Sequence, residues 1–189
     1  MMTKTQLIPG EIRQAKAIGS IAMVFVLVSF SMLFATLFMG YAALRTSAPV
    51  WPPMGMDNLP MLYPILSTIF IAISSLCWNM FEKTLKLSWV LATLVLGLAF
   101  TASQFGLWSE LKLHGILAGT GVFASVIYTF TWIHMAHIAV ALALLIWPIV
   151  WVKKEQVTDI RAVKITSIGK FWHFLGIIWA LMFVTLFVL

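Results

Sequence analysis

Residues Ile18 to Leu44 read IGSIAMVFVLVSFSMLFATLFMGYAAL, an apolar run of 27 residues without one charged side chain. About 20 apolar residues, each rising about 1.5 Å, cross a hydrocarbon core about 30 Å thick. The run can therefore span a bilayer, and four more follow, over about 60–81, 87–108, 117–152 and 171–189. Inside lipid only helices and closed barrels satisfy their backbone polar groups, and these continuous runs lack the alternation of barrel strands. The reading is all-α: one integral membrane domain over residues 1–189, a bundle of five transmembrane helices. The fourth run is longer than a bilayer needs, which predicts a tilt or a cytoplasmic protrusion, with Pro148 bending its last turns.

The basic residues set the orientation. Of 12 Lys and Arg, 10 fall on one side of the crossing pattern: Lys4, Arg13, Lys16, Lys83, Lys86, Lys153, Lys154, Arg161, Lys164 and Lys170. Only Arg45 and Lys112 fall on the other. By the positive-inside rule the N-terminus is cytoplasmic and the C-terminus, after an odd number of crossings, is periplasmic. The net charge of +6 then belongs to topology and to anionic headgroups; no nucleic-acid partner is implied.

With 62% hydrophobic residues and short connections, the chain has no room for a soluble domain. The first run is too long for a signal-peptide core and lacks a small-residue cleavage site, so it is expected to stay as an anchor. A lone cysteine, Cys77, excludes an internal disulfide and a multi-cysteine metal site, and a buried inert thiol is expected.

All six acids, Glu11, Asp57, Glu82, Glu110, Glu155 and Asp159, lie in loops or at helix ends. Ion-coupled transporters and pumps place a charge within the membrane to bind the driving ion, and this chain shows no such relay. Neither discontinuous helices nor a repeated half points to a secondary transporter.

What stays polar at depth is a set of histidines, amides and hydroxyls. His134 and His137 share a face of helix 4 with Thr131, and His173 opens helix 5; Ser103 and Gln104 fall in the last turns of helix 3. Two imidazoles on facing helices can hold haem iron. Here the predicted depths oppose it, because His173 sits at the cytoplasmic end of its helix and His134 about 27 Å from that end of its own. Interhelical hydrogen bonding by neutral imidazoles is the preferred reading. Gly115 and Gly119, with Gly121 beside them, read as a small-residue pair for helix packing, and Tyr41, Trp51, Trp89, Trp108, Trp151 and Trp172 as interface anchors.

Ordered local sequences add a family resemblance. Helix 1 ends Leu37-Phe38-Met39-Gly40-Tyr41-Ala42-Ala43-Leu44-Arg45, and Trp51-Pro52-Pro53 and Leu59-Pro60 precede helix 2 with its Ser74-Ser75. Helix 3 carries Gln104 and Trp108, helix 4 Thr131-Trp132-Ile133-His134-Met135-Ala136-His137, and helix 5 Phe171-Trp172-His173-Phe174 and Trp179. This resembles subunit III of the haem-copper terminal oxidases, the cytochrome c and quinol oxidases, in the short bacterial form of five helices. The likeness covers the chain from helix 1 onward. Three positions depart from it: a family glutamate is Phe30, an aspartate is Gly176, and a small residue of the helix 4 motif is Trp132.

The resemblance implies a multi-pass subunit of the bacterial cytoplasmic membrane, without catalytic, cofactor or metal residues of its own. Haems and copper would sit in partner subunits: subunit I, which it contacts directly, and subunit II, which receives electrons from cytochrome c or quinol. Its role would be to pack against subunit I, hold membrane lipids and support sustained turnover and proton uptake in oxygen reduction. Arg45, Gln104, Trp108, Thr131, His134, His137, Trp172 and His173 would be packing residues. Two alternatives are the homologous accessory protein of nitric oxide reductase and a small membrane cytochrome using the helix histidines.

Overall fold

The computed structural model describes residues 9–51 and 60–188, apart from the side chains of Pro9, Glu11, Ile12 and Ala15. Lys4, Pro52, Pro53, Asp57 and Leu59 lie outside these residues. The described chain is all-helical: α1 (Pro9–Ser47), α2 (Leu62–Thr84), α3 (Leu87–Leu113), α4 (Val122–Lys153), α5 (Asp159–Phe183) and a closing π-helical turn (Val184–Val188). Each of the five α-helices is long and apolar enough to cross a membrane, as expected.

Their ends differ from the hydropathy-based bounds because a helix does not stop where lipid stops. α1 begins at Pro9, nine residues before Ile18, and α5 begins at Asp159, twelve before Phe171. Thr158 caps α5, its hydroxyl accepting from the Arg161 backbone N–H at 3.4 Å, and Asp159 complements the positive end of the helix dipole. His173 is therefore not at the start of its helix but mid-way along it. Likewise α3 runs to Leu113, so Gln104 lies inside it rather than in its last turns. α4 runs through the buried Pro148 to Lys153.

Gly115 serves a turn, not a helix face. α3 ends with Gly115 at φ +74°, its N–H bonding Lys112 O at 3.0 Å while the Ile116 N–H bonds Leu111 O at 2.9 Å. This is the left-handed glycine stop of a helix. Gly119 and Gly121 fall in the connection before α4 with no atom of the described residues within 4 Å of a Cβ position. The close helix approaches use other glycines. A Cβ on Gly97 would meet Leu142 at 2.7 Å and Trp172 at 2.8 Å; Gly106 is covered by Tyr63, and Gly169 by Trp78 and Glu82.

α2 and α3 form a tight antiparallel hairpin joined through Leu85 and Lys86, with Leu85 in the left-handed region at φ 50°. α5 is central, packing on α1, α2 and α4, whereas α1 lies against α5 and only lightly touches α4. The core is aromatic: Trp78, Trp172, Trp179, Phe81 and Phe100 are fully buried. Tyr41, Trp108 and Trp172, expected as interface anchors, are buried in the bundle, while Trp51 and Trp151 are half-buried and Trp89 is exposed. Cys77 is buried and free.

Candidate functional site

The interior is held by a seam of indole and hydroxyl groups. Trp172 Nε1 donates to Ser74 Oγ at 3.1 Å, Trp179 Nε1 to Thr68 Oγ1 at 3.0 Å, and Trp108 Nε1 to Thr131 Oγ1 at 3.0 Å. These bonds join α5 to α2 twice and α3 to α4 once. An indole N–H within a bundle needs a partner, and a hydroxyl on a facing helix supplies an acceptor. Thr68 and Thr131 can accept because each donates its own proton to a carbonyl in the preceding turn.

A second seam links α2 and α3. Gln104 Nε2 donates to Ser67 Oγ at 2.8 Å, Ser67 lies 2.6 Å from Ser103 Oγ, and Ser103 donates to Phe100 O at 2.7 Å. Because Ser103 spends its proton on that carbonyl, Ser67 is the donor between the two serines. At the far end of the bundle Tyr41 OH donates to Thr185 O at 2.9 Å, fastening α1 to the π-helical turn, and Arg45 Nη1 donates to Tyr41 OH at 3.3 Å.

The histidines behave differently from expectation. His134 is fully buried, and neither ring nitrogen has a hydrogen-bond partner among the described residues. Its ring lies among Phe34, Phe100 and Trp179, with centroids 6.1, 5.9 and 5.8 Å away. His137 bonds within its own helix, Nδ1 to Ile133 O at 2.6 Å, and His173 Nε2 is buried without a partner. Among the described residues none of the three ties two helices by a hydrogen bond; His134 and His137 pack by ring contact instead. α5 starts so early that His173 no longer sits at the end of its helix. What opposes haem is the wall of rings, which leaves no room for a macrocycle beside His134. His173 is elsewhere, lining a groove between α2 and α5 with Thr68, Ile71 and Ser75.

The three positions at which the sequence departs from the resemblance are each visible in the structure. Phe30 stands edge-on to His137 at 4.4 Å and lies 5.6 Å from Phe171, an apolar ring among aromatic neighbours. Gly176 lines the His173 groove, where a Cβ would make ordinary 3.5 Å contacts with Ile71 and Ser75. Trp132 stacks on Trp108 at 4.8 Å and 7°, with more than half its surface exposed.

The structure thus brings Trp108 and Thr131 into one bond, and His134 and His137 around the shared ring of Phe34; it keeps Arg45 and His173 apart from both. Sequence reasoning missed Ser67 and Thr68 and the three glycines. The hydroxyls could have been found by asking which group receives each mid-span indole proton. Among the described residues no three His, Cys, Asp or Glu side chains come together as a metal-binding group.

A profile of the family described as cytochrome c oxidase subunit III matches residues 9–189. The cytochrome c oxidase subunit 3 of Synechocystis sp. is 27% identical over 172 residues, covering 86% of this chain and 72% of that protein. That of Thermostichus vulcanus is 28% identical over 173 residues, covering 86% and 83%. The cytochrome bo(3) ubiquinol oxidase subunit 3 of Pseudomonas putida is 26% identical over 164 residues, covering 83% and 79%. With a profile match running from the first described turn of α1 to the last residue, this multi-pass membrane chain belongs to the cytochrome c oxidase subunit III family, the accessory subunits of haem-copper oxidases.

Proposed function

We propose that the chain is a non-redox subunit that packs against the catalytic subunit I of a respiratory oxidase, with subunit II in the same complex. In this reading haems and copper sit in those partners, the membrane is a bacterial cytoplasmic one, and the N-terminus faces the cytoplasm. The contribution to oxygen reduction is indirect: sustained turnover and proton uptake. The observation that carries it is the use of the interior. Indole, hydroxyl and amide groups at depth bond to one another across helices, and the His134 imidazole is walled by aromatic rings. Gln104, Trp108, Thr131, His134, His137, Trp172 and His173 are then packing residues, and Arg45 secures the outer end of α1.

The relatives carrying oxidase names favour an oxidase over a nitric oxide reductase, and the ring walls around His134 count against a cytochrome. The test is to strip the subunit from the purified oxidase and record spectra and turnover. Intact haem spectra and a substantial initial rate, followed by earlier inactivation or slower proton uptake, support the reading. Immediate loss of activity with altered haem spectra in correctly assembled remaining subunits overturns it.

A further inference from the structure

We draw no further inference here: the strongest candidate, the groove between α2 and α5 lined by Ser75, His173 and Gly176, is bordered only by half-exposed polar side chains, and nothing in the structure shows what covers it.

Discussion

The indole N–H of Trp172 meets Ser74 Oγ at 3.1 Å, joining α5 to α2 across 98 positions of sequence. Both residues are fully buried, and Ser74 passes its own proton to Thr93 O at 3.3 Å, so one hydroxyl links three helices. Ser74→Ala strands the indole proton and is expected to cost about 1 kcal/mol. Trp172→Phe in the same background should recover part of the hydrogen-bond loss. Unfolding in mixed detergent measures both; a neutral Ser74→Ala would show that the bond contributes nothing.

Glycine substitutions should divide sharply. Gly97→Ala drives a methyl group into Leu142 and Trp172 and should destabilise by about 1–3 kcal/mol. Gly40, with no atom of the described residues within 4 Å of its Cβ position, should accept alanine at no cost. Equal effects of the two in the same unfolding assay would refute the packing account.

His134 tests the ring-contact reading. Since neither nitrogen is bonded, His134→Phe should keep the subunit in its complex, whereas His134→Gln buries an amide without partners and should weaken retention by about 1–3 kcal/mol. Haem per complex, read from the visible spectrum, should be the same in both. A loss of haem in proportion to this chain would make the histidine a ligand.

Topology follows from the charge asymmetry. In a Cys77→Ala background, a cysteine replacing the exposed Ser47 should react with an impermeant thiol reagent in cells whose outer membrane has been opened, and one replacing Gln156 should not. The opposite labelling pattern would invert the bundle.

The number and kind of helices were legible because span length in lipid is set by a single thickness, and each apolar run of this chain roughly matches or exceeds it. Their ends were not, because hydropathy reports where lipid stops: the polar turns from Asp159 to Lys170 continue α5 beyond that point. That is why His173, expected at the start of helix 5, lies mid-way along α5. The bonds in the seam were hidden for another reason. A hydrogen bond between Trp179 and Thr68 depends on which faces of α2 and α5 meet, and nearly all-apolar helices give periodicity little to report. The glycines misled because Gly115 reads the same whether it serves a helix contact or a helix stop; only its φ of +74° distinguishes them.

Because α1 rests chiefly on α5, the helix of these five that the ribosome makes first finds its main partner in the one it makes last. α2 and α3 can close as a hairpin as soon as both have been inserted. α1 must wait in the bilayer, uncovered, while some 110 further residues separate Ser47 from Asp159. Any truncation before α5, such as a stop codon in the α4 to α5 connection, would therefore detach the opposite end of the bundle as well.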